Sequence, residues 1–413
     1  MNEPEFEKMF EPFKIKEVEF RNRLVMAPLN TNFVSSTHVS EQLIAYLAAR
    51  ARNGVGMIVT SPVSGVVIPG MPQPPVLNRP EQLAEWNELA ETIHAFGAKL
   101  VIQLMPGVGR QARKGIATKA PSPLPLRIPT ENLPRKCLDF EKRRNLPSVW
   151  EYLMTGEVPQ ELTTGEIIDA ENSYAVSAAL AKDFGADGVE LHFAHGYLAY
   201  SLLSPRTNMR NDAYGGSYDN RLRFLTNVLT KVRQVVGESF MVGIRISGNE
   251  HMPGGLGIEE TGRILKTSET RGLDYVHLSD GCFEAAKWYL PDEDGTMLDE
   301  AEYLKKLLHI PILTPGLHDP VLAEKVLREG KTDMVSLGRA ILADPEWVKK
   351  THEGEYRKIV KCIRCLTCLR RTRNGLYIRC EVNPNLGVER YDPANYRLSA
   401  PHKKSLFYPG HSK

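Results

Sequence analysis

Two histidines and a tyrosine lie close together after an apolar stretch of this chain. His192, His195 and Tyr197 fall at and just beyond the end of Gly188–Phe193. An imidazole can donate a hydrogen bond to a developing oxyanion, and a phenol can donate a proton to carbon. A single histidine in an apolar segment is more often a buried structural residue. The close grouping of three such side chains favours a catalytic role.

Four of the six cysteines lie near the C-terminal end with the spacing C-x₂-C-x₂-C-x₁₁-C. Six cysteines are too few for a secreted disulfide scaffold in a chain of 413 residues. Four thiolates at this spacing can hold either a tetrahedral zinc ion or a [4Fe–4S] cluster. Cys137 and Cys282 lie outside the motif, and we expect them to be ordinary thiols. The predicted metal ligands are Cys362, Cys365, Cys368 and Cys380.

The elements that position these residues follow a regular alternation. Short apolar runs alternate with longer amphipathic segments, which predicts an α/β fold with a closed (β/α)₈ TIM barrel and a short C-terminal cysteine-cluster extension. A hairpin over Phe13–Arg23 is expected to close the bottom of the barrel. The predicted strands are Leu24–Pro28, Gly56–Ser61, Lys99–Leu104, Gly188–Phe193, Phe240–Ser247, Tyr275–Gly281, Pro311–Gly316 and Met334–Arg339. The predicted helices include Glu41–Asn53, Glu81–Phe96, Thr164–Phe184, Asn220–Val236, Ile258–Arg271 and Pro320–Glu329.

The alternation divides the chain into three parts. Residues 1–350 are predicted to form the barrel, 351–390 the four-cysteine segment, and 391–413 a tail or the start of a further domain. Residues 111–160 interrupt the alternation with many prolines and charges. They follow the third strand, so they are interpreted either as a cover over the active-site face or as a solvated surface loop.

Composition excludes several classes of protein. The formal net charge is +2 and 42% of the residues are hydrophobic, so no strong field for nucleic acid or membrane is expected. The N-terminus lacks the apolar core of a signal peptide, and no apolar run is long enough to span a bilayer. We expect a cytoplasmic protein with a small-molecule ligand; formation of a homo-oligomer is compatible with the sequence.

The region after the fourth predicted strand resembles the old yellow enzyme family. That family has H-x-x-[NH]-G-Y-L, then Ser-Pro, Asn-x-Arg, Tyr-Gly-Gly and Asn-Arg-x-Arg-Phe. This chain has the corresponding residues from His192 to Phe224. The resemblance implies that His192 and His195 hold a substrate carbonyl over FMN and that Tyr197 protonates the α-carbon.

Other strand ends match positions where this family contacts FMN. The resemblance places the Pro28 segment against the flavin ring, Gln103 on its pyrimidine edge, and Arg245 near N1, where it would stabilise the anionic reduced flavin. Backbone N–H groups after strands seven and eight would bind the phosphate. The predicted cofactor-binding residues are Pro28, Leu29, Asn30, Ser61, Gln103, Arg245, Pro315, Gly316, Gly338 and Arg339.

Three departures from the family limit what the resemblance implies about the substrate. The Q-L-x-H-x-G-R pattern lacks its histidine here and is one residue longer, ending at Arg110, and residues 111–160 are enlarged. Phe283 takes the place of the histidine in the G-x-H-E sequence that is typical of dienoyl-CoA reductases, and a phenyl ring cannot transfer a proton, which argues against a dienoyl-CoA substrate.

The G-x-G-x-x-A at residues 107–112 is rejected as a dinucleotide site, since no βαβ unit closes around it.

The order of barrel, cysteines and Asn383-Pro384 resembles the iron–sulfur branch of the family, which includes enoate reductases, dienoyl-CoA reductase and trimethylamine dehydrogenase. The resemblance favours a [4Fe–4S] relay to FMN over zinc. It implies an ene-reductase acting on an α,β-unsaturated carbonyl of the enoate or steroid-enone type. In that branch FAD- and NAD(P)H-binding domains usually follow, so NAD(P)H is expected to act indirectly, through a partner flavoprotein or a missing C-terminal domain.

Two other functions stay open at this point. Amine demethylation of the trimethylamine dehydrogenase type would need an aromatic cage for a cation, to which Trp288 and Tyr289 could contribute. A non-catalytic flavin electron-transfer subunit with a structural zinc would use the same cysteines without substrate chemistry.

Overall fold

The computed structural model describes residues 5–34, 38–64, 76–112, 114–151 and 153–395. Eight parallel strands form a closed barrel in which the last strand pairs with the first, which confirms the predicted (β/α)₈ fold. Each of the other barrel strands pairs with the next barrel strand along the chain. The barrel strands are β3 (Leu24–Met26), β4 (Met57–Val59), β6 (Lys99–Met105), β9 (Gly188–Phe193), β10 (Met241–Ser247), β11 (Tyr275–Ser279), β12 (Ile312–Pro315) and β13 (Met334–Leu337).

Helices surround the barrel, and side-chain caps fix where several of them begin. Thr163 accepts from the Glu166 backbone while Glu166 caps in return, and Ser40 and Ser217 cap their helices in the usual way. The helices are α1 (Glu7–Phe10), α2 (Glu41–Arg52), α3 (Leu83–Ala95), α4 (Arg135–Arg144), α5 (Thr164–Asp183), α6 (Leu198–Leu203), α7 (Tyr218–Val236), α8 (Ile258–Glu269), α9 (Ala286–Tyr289), α10 (Leu298–Leu307), α11 (Pro320–Arg328), α12 (Arg339–Ala343), α13 (Trp347–His352) and α14 (Thr367–Arg373).

Five barrel strands end one or two residues earlier than the sequence predicts. The residues beyond those ends turn away from the sheet. Gly281 and Gly316 have φ values of 60° and 79°, which no strand residue adopts. Pro28 has no N–H to donate to a neighbouring strand. The loops that carry functional residues therefore begin earlier than apolar patterning suggests.

An N-terminal hairpin closes the bottom of the barrel, as predicted. Strands β1 (Phe13–Ile15) and β2 (Val18–Phe20) pair antiparallel. Ile15 and Phe20 are buried in a cluster with inward-facing strand residues such as Met57 and Met241. Burial of these side chains against the barrel interior holds the hairpin in place.

Residues 111–160 form a packed layer. They contain α4 and the two-residue strand β7 (Lys119–Ala120), which pairs in parallel with β8 (Gln160–Glu161). Leu126, Cys137 and Trp150 are buried in a cluster that includes Phe283 and Leu366. The layer is therefore anchored to the loop after β11 and to the cysteine segment. Strand β5 (Val63–Ser64) adds a short pairing beside β6.

In the described part of the chain, every helix is too short or too polar to cross a membrane. Of the predicted tail, residues 396–413 lie outside the described residues.

Candidate active site

A cavity of about 250 Å³ lies at the carboxyl ends of the barrel strands. This is the end at which TIM barrels place their active sites. Its wall combines residues after several strands with residues of the cysteine segment, including Leu366, Leu369, Thr372 and Ile378. The cavity is therefore built by the barrel and the cysteine segment together.

His192, His195 and Tyr197 all line this cavity. The ring centroids of His192 and His195 are 5.2 Å apart, and the Tyr197 ring lies 5.3 Å from His192 and 6.4 Å from His195. The three side chains can therefore contact one small ligand at the same time.

The backbone at His195 adopts a conformation that is rare for a residue with a side chain. Its φ is 62°, and its N–H donates to Ser247 Oγ at 3.0 Å while its carbonyl accepts from Gln111 at 3.1 Å. The imidazole Nε2 lies 2.6 Å from Ser279 Oγ. When the Ser279 hydroxyl donates to Nε2, the ring proton is on Nδ1, where it is available to a ligand oxygen.

Both histidines are held neutral by their surroundings. Burial, with a smaller effect from the nearby Arg245 cation, lowers the pKa of His192 to about 3. Burial also lowers the pKa of His195 well below its ordinary value, with His192 and Arg245 adding to the effect. Each ring therefore acts as a neutral hydrogen-bonding group at physiological pH.

The structure brings nearly all the predicted cofactor-binding residues to the same cavity. Ser61 is the exception: it is buried and does not belong to the cavity wall, whereas its neighbour Pro62 does. The residues that line the cavity are Pro28, Leu29, Asn30, Gln103, Arg245, Pro315, Gly316, Gly338 and Arg339.

Several buried nitrogens in the cavity wall have no hydrogen-bond partner among the described residues. They are Nδ1 of His192, Nε and Nη1 of Arg245, and Nη1 of Arg339. A buried donor without a partner costs about 1–3 kcal/mol. A ligand with negatively charged oxygens and ring acceptors would satisfy these groups, and FMN has both a phosphate and a polar flavin edge. The cavity therefore fits the cofactor that the resemblance implies.

Glu190 is a functional candidate that the sequence reasoning missed. It is fully buried in β9, and its carboxylate accepts from Gln103 Nε2 at 2.7 Å, Tyr275 Oη at 3.0 Å and His277 Nδ1 at 2.9 Å. Burial alone would raise the pKa of Glu190, but His277, Arg245 and Gln103 outweigh it and lower the pKa. An acid inside the apolar stretch of β9 was the available signal, because a buried charge must be paired.

The contact with Glu190 also orients Gln103. A carboxylate only accepts hydrogen bonds, so the amide nitrogen of Gln103 must face Glu190. The carbonyl oxygen and the second N–H of this amide are left for a ligand in the cavity.

The loop after β11 is fixed by buried ion pairs. Glu284 bonds to Arg110 and lies 3.3 Å from Arg206 Nη1. Burial alone would raise the pKa of Glu284, but the two arginines lower it.

Phe283, beside this acid, packs its ring edge-on against Tyr197, with the ring centroids 5.8 Å apart. The aromatic residue that replaces the histidine of dienoyl-CoA reductases thus forms part of the surroundings of Tyr197.

The four cysteines of the motif line one small cavity beside the larger one. Cys368 and Arg339 line both cavities. Several basic residues near the motif bind partners other than the cysteines. Arg364 pairs with Asp294, Arg370 with Glu141, and Arg371 donates to the Tyr377 carbonyl. The contacts of Arg364 and Arg370 attach the cysteine segment to the rest of the protein, and that of Arg371 lies within the segment.

One arginine of α14 reaches the candidate catalytic residues. Arg373 Nη2 donates to Tyr197 Oη at 2.8 Å, and its guanidinium lies over the Phe283 ring at 4.4 Å. Nothing in the sequence singles out Arg373 for this contact, because it is one of several basic residues near the cysteines.

Known proteins resemble this chain over most of its length. The family model described as NADH:flavin oxidoreductase / NADH oxidase family matches residues 8–358. An NADH oxidase from Thermoanaerobacter brockii is 36% identical over 93% of this chain and 57% of its own length. A cinnamate reductase from Clostridium sporogenes is 32% identical over 94% of this chain and 59% of its own length.

Among solved structures, a 2-naphthoyl-CoA reductase bound to 2-naphthoyl-CoA matches with a TM-score of 0.80 and 27% identity, over 94% of this chain and 58% of that one. The chain thus spans less than two thirds of the length of these relatives. The match of the family model to residues 8–358, together with these relatives, shows that the chain belongs to the NADH:flavin oxidoreductase / NADH oxidase family, of which old yellow enzyme is a member.

Proposed function

We propose that this protein is an FMN-dependent ene-reductase that reduces the C=C bond of an α,β-unsaturated carbonyl compound, of the enoate or steroid-enone type. The observation that carries the proposal is the convergence of His192, His195 and Tyr197 on the cavity that also contains Arg245 and Gln103. Neutral imidazoles suit a carbonyl oxygen that becomes negative during reaction. The cinnamate reductase among the relatives acts, by its name, on an unsaturated acid.

The residues divide the chemistry among them. His192 and His195 donate hydrogen bonds to the substrate carbonyl and polarise the double bond. FMN, when bound, supplies the hydride to the β-carbon. Tyr197 then gives its phenolic proton to the α-carbon, and Arg245 stabilises the negative charge on the cofactor side of the cavity.

The same proposal assigns a [4Fe–4S] cluster to Cys362, Cys365, Cys368 and Cys380, as an electron relay to FMN. Four thiolates at this spacing can hold either a tetrahedral zinc ion or a [4Fe–4S] cluster, and the resemblance to the iron–sulfur branch of the family favours the cluster. The position of Cys368 in both cavities supports a direct route to FMN.

The electrons are proposed to come indirectly from NAD(P)H, through an FAD- and NAD(P)H-binding domain or a partner flavoprotein. The supporting fact is the length of the relatives, of which this chain spans less than two thirds.

Amine demethylation is less well supported. Of the two aromatic residues considered for a cation cage, Tyr289 lines the cavity, whereas Trp288 stacks on His251 at 4.1 Å and is not part of the cavity wall.

The first experiment is to purify the protein anaerobically and measure FMN, iron, acid-labile sulfide and zinc. We expect about one FMN and four irons with sulfide, as the cavity and the four-thiolate site each specify one cofactor. Zinc without sulfide would contradict the relay.

The second experiment changes Tyr197 to Phe, which removes the proton donor and keeps the ring. Loss of one general acid costs about 10²–10⁴-fold in rate. We expect that loss when an enone oxidises the reduced enzyme in stopped flow. Oxidation by a quinone, which needs no proton on carbon, serves as the control and should keep its parent rate. An enone rate equal to that of the parent would rule out Tyr197 as the donor.

A further inference from the structure

We propose that Arg373, contributed by the cysteine segment, is a positioning residue that directs the proton of Tyr197 into the cavity and stabilises the phenolate left after proton transfer. This inference rests on the proposed function, because it assumes that Tyr197 is the proton donor.

The first step is the direction of the hydrogen bond. Arg373 Nη2 lies 2.8 Å from Tyr197 Oη, and a guanidinium can only donate. The phenolic oxygen therefore accepts from Arg373, and its own O–H proton must point elsewhere. Tyr197 lines the cavity, so the remaining direction includes the place where a substrate would bind.

The second step is the rigidity of the guanidinium. Its carbon lies 4.4 Å from the centre of the Phe283 ring, which is 2% exposed and edge-on to Tyr197. Phe283 is itself next to Glu284, which is fixed by Arg110 and Arg206. Arg373 is therefore held on a rigid aromatic surface while it contacts the phenol. A planar cation over an aromatic face is a stable arrangement.

The third step is charge. When the Oη–H bond of Tyr197 breaks, the proton forms the new C–H bond at the α-carbon and the electron pair stays on the phenolic oxygen. The β-carbon receives the hydride that the proposed function assigns to reduced FMN, and water later returns a proton to the phenolate. During this interval the oxygen is negative and within hydrogen-bond distance of a permanent cation.

Arg371 provides a matched control on the same helix. It has the same charge and lies two residues earlier in α14, but its Nε donates to the exposed Tyr377 carbonyl at 2.8 Å, and it is not part of the cavity wall. A general effect of removing positive charge from the cysteine segment would appear in both variants.

The test is a double-mutant cycle on Tyr197→Phe and Arg373→Gln in the anaerobic holoenzyme, with Arg371→Gln as control. Iron, sulfide and FMN contents are measured first, and variants are compared at equal loading. A hydrogen bond to a charged group corresponds to about 10- to 100-fold in rate. We expect Arg373→Gln to slow enone reduction by that factor, with an increased solvent deuterium isotope effect. Quinone reduction and the Kd of a para-substituted phenol should stay close to the parent values.

Three outcomes decide the matter. If Arg373→Gln has no further effect in the Tyr197→Phe background and Arg373→Lys recovers most of the rate, the inference holds. If the two effects multiply independently, Arg373 acts on the substrate or the fold and not through Tyr197, and the inference is wrong. If Tyr197→Phe itself keeps the parent enone rate, the proposed proton donor is wrong, whatever Arg373 does.

Discussion

At the scale of single residues, the site depends on charges that the fold isolates from water. Arg245 is buried in β10, and its Nε and Nη1 have no hydrogen-bond partner among the described residues; Glu190 is the acid whose charge acts on it most strongly. Burial lowers the pKa of Arg245, and Glu190 partly offsets this. A buried permanent cation stabilises an anionic ligand strongly.

Replacing Arg245 with Met tests that role. The variant should bind FMN more weakly, or keep it with a midpoint potential that is more negative, because the anionic reduced flavin loses its cation. We expect a shift on the order of 30 mV or more, which for a two-electron couple corresponds to about 1.4 kcal/mol. Arg245→Lys keeps the charge and should show a smaller change. A midpoint potential equal to that of the parent in flavin-loaded Arg245→Met would show that the cation has no such role.

At the scale of elements, the sequence predicted the barrel well and the cavity wall less well. The apolar runs and the His192–Tyr197 motif are patterns of residues that are close in sequence. The barrel strands and the candidate catalytic residues could therefore be predicted from the sequence alone. The contacts of Glu190, Phe283 and Arg373 join residues up to 176 positions apart. Such contacts depend on how loops pack over the barrel, for which the sequence has no periodic signal. The same holds for Ser61, which was expected at the cavity: in the loop after β4 it is Pro62 that lines the cavity wall.

The contribution of the cysteine segment to the cavity wall also depends on packing that the sequence does not reveal. The FMN contacts that the resemblance implies all lie in the barrel, and by themselves they predict that removing the cluster spares FMN binding. The structure places Leu366, Leu369, Thr372 and Ile378 in the cavity wall. Metal binding couples to local folding, so Cys365→Ala should loosen α14. We now expect this variant to lose the cluster and to hold FMN more weakly, by about tenfold or more in Kd.

The measurement is fluorescence titration of FMN into flavin-depleted protein, with Cys137→Ala as the control. Cys137 is a buried cysteine outside the motif. Unchanged FMN affinity in cluster-free Cys365→Ala would show that the barrel holds the cofactor without the segment.

At the scale of the whole molecule, buried neutral histidines link stability to pH. His192, His195, His277 and His318 all have pKa values lowered by burial. Below about pH 6.5 an unfolded histidine takes up a proton. Native His192 does so only near pH 3. The unfolded state therefore binds more protons between these values, and stability falls as the pH is lowered through this window.

The predicted loss of stability at lower pH can be measured on the holoprotein. Each such histidine contributes up to about 1.4 kcal/mol per pH unit below pH 6.5. His192→Gln removes one of them, so the loss of unfolding free energy between pH 7.5 and 5.5, measured by urea titration, should be smaller than in the parent. The exposed His309→Gln should show the parent dependence. Equal pH dependence in all three proteins would refute the linkage.

The large cavity and the small cysteine-lined cavity share a boundary, because Cys368 and Arg339 line both cavities. In a molecule with both cofactors bound, an electron that enters the cluster adds negative charge beside the cavity in which the flavin also becomes negative. Each reduction then makes the other more difficult, an anticooperativity set by Coulomb repulsion across a short, poorly solvated distance. The positive charge of Arg339, which lines both cavities, would favour reduction of each centre separately, whereas the mutual repulsion is set by the distance between the centres and the polarity of what lies between them.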